Sequence, residues 1–392
     1  MPSATPTRET RRSTALAAAL TLALGLAACS GGSSASTAGG EVDAAGVSAA
    51  AAAVEAASAD PTFELQAPAF PMRDIAGKTI FNIPNSSAVP YVQAVDEESA
   101  AIAERYGATW VEYANQGTPT EHSAGIDQAV SQGADVVVLA QGVNVDLIVP
   151  ALQRAKAAGI PVVVTHTLQT GDTFSPQAAD LVTAQVTAPF DEAAALIANW
   201  AIADSEGEAN AVLLTADEVP PSKGMVESMR ATFEQNCPAC TVKVVNVPVT
   251  DWATKISGEV QTALQSDPGV GYVLPIYDSM ALYAQQGVTA AGKTGQVQMA
   301  SFNGTPDVLK LMQDGDVMAM DVGEDIRWLA WSTLDQVGRV LTGAPLVADG
   351  DQKTPLKVFT DENVDATGTP PVAGQGYGDA HVAGYEALWG AP

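Results

Sequence analysis

The sequence predicts an α/β fold of two similar halves, each a Rossmann-like, doubly wound lobe around a parallel sheet. Short β-branched runs alternate with segments whose apolar residues recur at the helical period and which often end at glycine. Continuous apolar runs are typical of parallel strands buried on both faces, and glycine commonly ends a helix. The chain of 392 residues also exceeds one domain of about 150 residues. These observations together predict two lobes.

The first half contains four strand-helix units. The predicted strands cover residues 79–83, 109–113, 136–140 and 160–165. The helix after the first strand places Val92, Val95 and Ile102 on one side before Gly107. Because parallel strands joined by helices form right-handed crossovers, these units predict one doubly wound sheet.

The second half repeats the alternation after a short run at residues 181–184. Its predicted strands cover residues 211–214, 242–247, 270–274, 297–302 and 317–321, with helices between them. The repeat predicts a second lobe with the architecture of the first.

The N-terminal segment has the pattern of an export signal. Three arginines precede residues 15–26, an uncharged run that is too short to span a bilayer but matches the core of a signal peptide. The run ends in Leu26-Ala27-Ala28-Cys29, which resembles the bacterial lipobox, in which the cysteine is lipidated. We expect residues 1–28 to be a lipoprotein signal peptide and Cys29 to anchor the protein on the extracytoplasmic face of the cell membrane.

Residues 29–74 are rich in serine, glycine and alanine and include three prolines. Such a composition is typical of flexible linkers, although the alanine-rich stretch at residues 47–57 could form a helix. We expect a flexible tether that holds the folded part away from the membrane.

The charge balance excludes some partners. Lys and Arg number 18 and Asp and Glu 45, which gives a net charge of -27. Removal of residues 1–28 would leave 15 basic and 44 acidic residues, a charge of -29. An acidic surface repels phosphate backbones, so we expect no nucleic-acid partner.

Five segments carry a resemblance to a known family. They are Val89-Pro90-Tyr91, residues 132–139, residues 158–163, residues 278–282 and residues 301–307. In this order and spacing they resemble the type I periplasmic binding proteins, in the ribose-binding-like group that supplies sugars and polyols to ABC importers. The resemblance covers about residues 77–347. The same fold occurs in transcription repressors with an N-terminal helix-turn-helix, but here a signal peptide occupies that position.

The resemblance implies two lobes joined by a three-crossover hinge near Val186, Val322 and Gln352. The N-terminal lobe would comprise residues 75–186 and 323–352, and the C-terminal lobe residues 187–322 and 353–392. A ligand would bind between the lobes, and the lobes would close on it as a hinge.

Candidate ligand-binding residues follow the predicted strands, because ligands of open α/β sheets bind beyond the carboxyl ends of the strands. The candidates are Tyr91, Gln141, His166, Thr167, Lys223, Trp252, Tyr277, Asp278 and Asn303. Tyr91, Trp252 and Tyr277 could supply aromatic faces for a sugar ring. Five of the candidates also have structural explanations: Trp252 and Tyr91 as helix staples, His166 as a core histidine, Asp278 as a helix cap and Asn303 as a turn residue before Gly304.

Several candidates depart from the ribose-type pattern. The resemblance places His166-Thr167 where ribose-binding members have an Asp-Arg pair, Lys223 where they have Arg, Tyr277 where they have Asn, and Asn303 where they have Asp. The pocket is therefore expected to be less charged and more aromatic, which disfavours an aldopentose ligand.

Cys237-Pro238-Ala239-Cys240 allows three interpretations. Zinc would require further ligands, and the remaining cysteine, Cys29, is the expected lipidation site. A thioredoxin-like site would lie where a strand enters a helix, but here a helix precedes the motif and a strand follows it. We expect a structural disulfide in an exported protein and keep thiol redox activity as the alternative.

No catalytic motif is present, and the histidines at positions 122, 166 and 381 are dispersed. We therefore expect a non-enzymatic, monomeric binding protein without cofactor or metal. It would capture a small molecule, most simply a sugar or polyol, and deliver it to the subunits of an ABC permease. The alternative in another class is a sensory module that presents its ligand to a membrane receptor.

Overall fold

A computed structural model describes residues 42–390 of the chain. The expected signal peptide and Cys29 lie outside the described residues. The first described helix is α1 (Ala44–Ala57). No helix in the described range is long and apolar enough to cross a membrane.

The N-terminal lobe contains five parallel strands in the order β2-β1-β3-β4-β5. The elements, in chain order, are β1 (Thr79–Pro84), α2 (Pro90–Arg105), β2 (Thr109–Glu112), α3 (Pro119–Gln132), β3 (Val136–Ala140), α4 (Val149–Ala157), β4 (Val162–Gln169), α5 (Pro176–Ala179) and β5 (Ala184–Ala188). The central strand β3 is buried along its whole length, as expected of a strand covered by helices on both faces.

The C-terminal lobe contains a six-stranded sheet in the order β11-β10-β9-β8-β6-β7. Its elements are α6 (Phe190–Asp204), β6 (Asn210–Thr215), α7 (Ser222–Asn236), β7 (Thr241–Asn246), α8 (Trp252–Ser266), β8 (Tyr272–Pro275), α9 (Asp278–Ala290), β9 (Gln298–Asn303), α10 (Pro306–Gln313), β10 (Met318–Glu324) and, after α11 (Ile326–Thr342), β11 (Leu356–Thr360). The five parallel strands repeat the order of the first lobe. This confirms the prediction of two similar α/β lobes.

Two strands differ from the sequence-based expectation. Strand β5 begins at Ala184, where the predicted run ended. Strand β11 was not predicted, and it pairs antiparallel with β10. It is five residues long and is not followed by a helix of the repeating kind, so the strand-helix alternation does not reveal it.

Helix α11 lies against α2 and β5 of the N-terminal lobe, and the end of the chain differs from the prediction. Residues 353–392 were assigned to the C-terminal lobe, whereas helix α12 (Ala380–Trp389) lies against α11. The rings of Trp331 and Trp389 stack with centroids 4.8 Å apart. The indole of Trp389 also donates a hydrogen bond of 2.8 Å to the buried carboxylate of Asp335. Aromatic packing on α11 therefore returns the chain end to the first lobe.

Residues 42–75, here called the strap, do not form the flexible tether that was expected. Helix α1 lies on α6 and α7 of the C-terminal lobe, with Ala50 fully buried. A Cβ atom at Gly46 would lie 2.2 Å from the carbonyl oxygen of Asn236. The small residues that suggested flexibility instead allow this close helix contact.

The second part of the strap contacts the N-terminal lobe. The ring of Phe63 lies 6.0 Å from that of Trp328 and 5.0 Å from that of Tyr385. The amide of Phe70 donates a hydrogen bond of 2.8 Å to the carbonyl of Leu388. The strap therefore connects the two lobes across the outside of the molecule.

Candidate functional site

A cleft lies between the lobes at the carboxyl ends of the two sheets. Six of the nine candidate residues line it, namely Tyr91, Gln141, His166, Trp252, Tyr277 and Asn303. They come from both lobes, so a ligand in the cleft would contact both. The rule that ligands lie beyond strand ends thus brings together residues that are up to 212 positions apart.

The backbone is unusual at three of these positions. Gln141 has a φ of 55°, His166 of 52° and Asn303 of 143°, values that residues other than glycine rarely adopt. Three of the six such residues in the described range thus line the cleft. At His166 the strand pairing of β4 with β5 also shifts register, as in a β-bulge that redirects a side chain. Such backbone outliers persist where the surrounding structure enforces them, often at functional sites.

Tyr91 and His166 line the cleft and form a buried hydrogen-bonded cluster, here called the floor, with Glu324, which is not among the lining residues. The Nε2 atom of His166 lies 2.6 Å from Oε2 of Glu324. The hydroxyl of Tyr91 donates to the same carboxylate oxygen at 3.3 Å and lies 3.3 Å from Nε2 of His166. Burial, and next the negative charge of Glu324, raises the pKa of Tyr91, so this hydroxyl keeps its proton.

Glu324 was not among the sequence candidates. It ends β10 in the way that Asn303 ends β9, but the predicted strand stopped three residues earlier, at residue 321. The strand-end rule would have found Glu324 with the correct boundary. Its side chain is 1% exposed, and its Oε1 atom has no hydrogen-bond partner among the described residues.

Aromatic rings fix the orientation of the His166 imidazole. Phe190 meets it edge to face at 4.6 Å, and Phe302 stacks on it at 6.4 Å with an interplanar angle of 19°. Phe190 also lines the cleft and was missed by the sequence analysis. It lies two residues after the end of β5, so correct strand bounds would have revealed it as well.

Trp252 and Tyr277 form an aromatic wall on the side of the C-terminal lobe, with ring centroids 6.5 Å apart. The indole of Trp252 donates to the carbonyl of Val247 at 2.9 Å. The hydroxyl of Tyr277 lies 3.1 Å from Oγ of Ser222, and burial raises its pKa. Because the polar ends of both rings already have partners, the rings are held rigidly while they line the cleft. The hydrogen bond to Val247 also ties the start of α8 to the preceding chain, which is the structural role considered for Trp252 as a helix staple.

The structure does not place the other three candidates at the cleft. Thr167 is buried and donates to the carbonyl of Thr165 at 3.2 Å. It follows His166 in β4, and neighbouring residues of a strand point to opposite faces. The side chain of Lys223 is 83% exposed and lies 3.8 Å from Glu227.

Asp278 is buried behind the cleft. It accepts hydrogen bonds from the amide of Thr305 at 2.7 Å and from the hydroxyl of Ser301 at 2.6 Å. These contacts hold the turn that contains Asn303. Asp278 therefore supports the cleft without lining it.

Cys237 and Cys240 form a disulfide in the turn between α7 and β7, as predicted. Neither cysteine lines the cleft. In the described part of the chain, no group of three or more His, Cys, Asp and Glu residues could hold a metal ion. The residues that line the cleft offer aromatic, amide, imidazole and hydroxyl groups for noncovalent binding.

Residues 80–345 match the model of the periplasmic binding protein domain family. The chain belongs to this family, whose members are binding proteins. Its two parallel-sheet lobes have the type I periplasmic binding protein fold.

Individual relatives agree with this assignment. The D-ribose/D-allose-binding protein of Pseudomonas aeruginosa is 26% identical over 202 residues, which cover 50% of this chain and 59% of the relative. The chain thus matches less than two thirds of the length of that protein.

Two solved structures share the fold. An ABC transporter solute-binding protein of Agrobacterium vitis with bound allitol has a TM-score of 0.62 at 20% identity, covering 74% of this chain and 98% of that chain. A second solute-binding protein of that organism, bound to α-D-tagatopyranose, has a TM-score of 0.65 at 18% identity and covers 73% and 96%.

Proposed function

We propose that the protein is an extracytoplasmic solute-binding lipoprotein that captures a sugar or polyol in the interlobe cleft and delivers it to an ABC import permease. The observation that carries the proposal is that three polar side chains of the N-terminal lobe, Tyr91, Gln141 and His166, line the same cleft as the aromatic wall of the C-terminal lobe. Sugars present hydroxyl groups at their rim and C–H groups on their faces. The amide, imidazole and hydroxyl groups that line the cleft suit the rim, and Trp252 and Tyr277 suit a face.

The relatives support the same ligand class. One is named for ribose and allose, and the two solved structures are named as ABC transporter proteins with allitol and tagatopyranose. We assign ligand contact to seven residues that line the cleft: Tyr91, Gln141, His166, Phe190, Trp252, Tyr277 and Asn303. Binding without chemical conversion is the proposed activity.

The proposed lipid anchor at Cys29 has a geometric consequence. An extended chain spans at most about 3.6 Å per residue. Because the strap is docked from residue 42 onward, the chain from Cys29 to the folded body could extend ~45 Å, against ~160 Å for a free tether to residue 74. The protein would therefore remain close to the membrane and to a permease.

The test is a thermal-shift screen of the mature protein with D-ribose, D-allose, D-tagatose and allitol. A ligand at 100 times its dissociation constant should stabilise the protein by about 2.7 kcal/mol. Small-angle scattering should show compaction with the same ligand, since only a ligand that prefers the closed form can shift the lobes. Absence of any stabilisation across the screen would contradict the proposal.

Two variants test whether the ligand contacts the aromatic wall. Trp252→Ala should raise the dissociation constant at least tenfold, because it removes a rigid, partly desolvated aromatic surface. Lys223→Ala is the matched control in the same lobe and should bind as the parent does, because its side chain points into solvent. If a folded Trp252→Ala protein binds as tightly as the parent, Trp252 does not contact the ligand and the aromatic wall is not part of the binding site.

A further inference from the structure

The lining of the cleft changes in chemical character along the C-terminal sheet. Asn303 ends β9, Tyr277 follows β8, Val219 follows β6 and Val249 follows β7, and all four residues line the cleft. The four strands lie side by side and parallel in the order β9-β8-β6-β7. Because the carboxyl ends of parallel strands meet at one edge of a sheet, the lining passes from an amide through an aromatic ring to aliphatic side chains.

The aliphatic end of this series, together with the indole that begins α8, is here called the apolar corner and consists of Val219, Val249 and Trp252. The amide of Val249 donates a hydrogen bond of 2.6 Å to the side chain of Glu218, which joins the segments that follow β6 and β7. The indole of Trp252 has one donor, and that donor is bonded to the backbone of Val247. The side chains of the apolar corner therefore offer a ligand a carbon surface and no hydrogen-bonding group.

The N-terminal lobe closes over the apolar corner. A Cβ atom at Gly142, which also lines the cleft, would lie 3.4 Å from Cγ1 of Val219 and 3.7 Å from Nδ2 of Asn85, so the amide of Asn85 borders the corner. Val219 is 9% exposed and Trp252 is 7% exposed. A ligand hydroxyl placed against these two side chains would lose its hydrogen bonds to water without replacement, which is costly. A methyl group in the same place would be stabilised by burial.

Polar groups line the cleft at other strand ends. Asn85 follows β1, Gln141 follows β3 and Asn303 ends β9. Their amides both donate and accept hydrogen bonds, as the hydroxyl groups of a sugar do. No Asp, Glu, Lys or Arg is among the described residues that line the cleft, so the lining has no charged group to pair with a charged ligand. The lining therefore favours a neutral ligand with hydroxyl groups at one end and an apolar group at the other.

We infer that the natural ligand is a neutral sugar or polyol that ends in a methyl group, as a 6-deoxyhexose does. Its methyl group lies in the apolar corner, and its hydroxyl groups face the amides of Gln141 and Asn303. The inference rests on the proposed function, since it narrows the sugar or polyol class to deoxygenated members.

The experiment compares neutral sugars that differ in one hydroxyl group. The pairs are L-fucose with L-galactose, L-rhamnose with L-mannose, D-fucose with D-galactose, and D-quinovose with D-glucose. In each pair the first sugar has a methyl group where the second has a hydroxymethyl group. Dissociation constants are measured by isothermal titration calorimetry with the mature protein. In at least one pair the 6-deoxy sugar should bind about tenfold to a hundredfold more tightly, the range over which an apolar pocket rejects an added hydroxyl.

Three variants test the apolar corner. Val219→Thr keeps the shape of the side chain but adds a hydroxyl, so the preference for the 6-deoxy sugar should fall to about twofold or less. Val249→Thr makes the same change at a half-buried position of the corner and provides the test if Val219→Thr does not fold. Val372→Thr is the matched control, because this side chain is 55% exposed and lies outside the lining of the cleft. It should retain the full preference.

Three results would overturn the inference. They are binding of the hydroxylated sugar within tenfold of its 6-deoxy partner in every pair, failure of all of these sugars to bind, and a full preference retained by a folded variant of the apolar corner. The proposed function is judged separately, since binding of D-ribose, D-allose, D-tagatose or allitol would support it whatever the outcome for the 6-deoxy sugars.

Discussion

The two lobes share one strand order but contribute different chemistry to the cleft. The N-terminal lobe supplies Gln141 and His166, two polar residues that line the cleft and have positive φ angles at the ends of their strands. The C-terminal lobe supplies the ring pair of Trp252 and Tyr277, each fixed by a hydrogen bond at its polar end. Equal topology therefore determines where a site lies, while the residues at the strand ends determine what it binds.

The two lobes are also covered on their outer sides by different kinds of contact. The N-terminal lobe is covered through a buried ion pair in α11, in which Arg339 donates to Asp335 at 2.7 Å. Asp335 also accepts from Trp389 of α12 and from Gln352 at 2.9 Å. The C-terminal lobe is covered by α1 through small residues such as Gly46. The packing that covers the N-terminal lobe depends on buried polar pairs. The packing that covers the C-terminal lobe depends on the close approach of a helix backbone.

The largest expected effect is a loss of stability when the buried ion pair of α11 is broken. Asp335→Ala would leave the fully buried guanidinium of Arg339 without its carboxylate, which typically costs about 3–5 kcal/mol of unfolding free energy. Urea denaturation measures this loss. Asp127→Ala breaks the exposed pair with Arg154 and should change stability far less, because water already screens that pair. Similar losses for both variants would show that the buried pair has no special role.

The close approach of α1 is tested next. Gly46→Leu should destabilise the docked strap by about 1–3 kcal/mol, because the added side chain meets the backbone of Asn236. Intrinsic helix propensity acts in the opposite direction, since leucine favours helix over glycine by roughly 1 kcal/mol. Hydrogen exchange of α1 reports the undocking.

Ser48→Leu is the control for this change. It adds the same side chain to an exposed position of α1 and should leave the exchange of the helix amides slow. Equally slow exchange in Gly46→Leu would mean that the strap does not depend on this contact.

A further expected effect depends on pH and arises where the chain crosses between the lobes. Nδ1 of His381 in α12 lies 3.6 Å from Oδ2 of Asp325, which precedes α11, and both side chains are buried. Burial raises the pKa of Asp325 to about 7 and lowers that of His381 to about 4. Arg327 lowers both pKa values, whereas Glu98 raises that of Asp325 and Asp379 that of His381.

The two shifts affect stability in opposite directions. The contribution of Asp325 is complete below its unfolded pKa of about 4 and is lost as pH rises through 7. The contribution of His381 is complete above its unfolded pKa of about 6.5 and is lost as pH falls through 4. Across pH 4–7 the two contributions largely cancel in the parent.

Single variants separate these contributions. Relative to the parent, His381→Asn should lose stability as pH rises from 4 to 7, and Asp325→Asn should gain it from 4 to 6.5. Each slope should approach about 1.4 kcal/mol per pH unit at most. Thermal unfolding across this range measures the slopes. Parallel curves for the parent and both variants would contradict the prediction.

The sequence by itself determined the two parallel-sheet lobes and six residues of the cleft. Strand and helix periodicity are local signals, so they can be read without knowledge of distant residues. The carboxyl ends of parallel strands meet at one edge, so even Tyr91 and Asn303 could be assigned to one site. The turn with Cys237 and Cys240 is equally local.

Tertiary structure alone decided the rest. Strand β10 extends to Glu324 because its last residues pair with β11. That antiparallel partner had no signature in the strand-helix alternation. Lys223 and Trp252 both lie near the start of a helix, and only packing places one in solvent and the other in the cleft. The strap has the composition of a linker, yet it docks because Gly46 and Ala50 meet a surface formed by residues far along the chain. Such contacts depend on the shape of the partner surface, which no local pattern encodes.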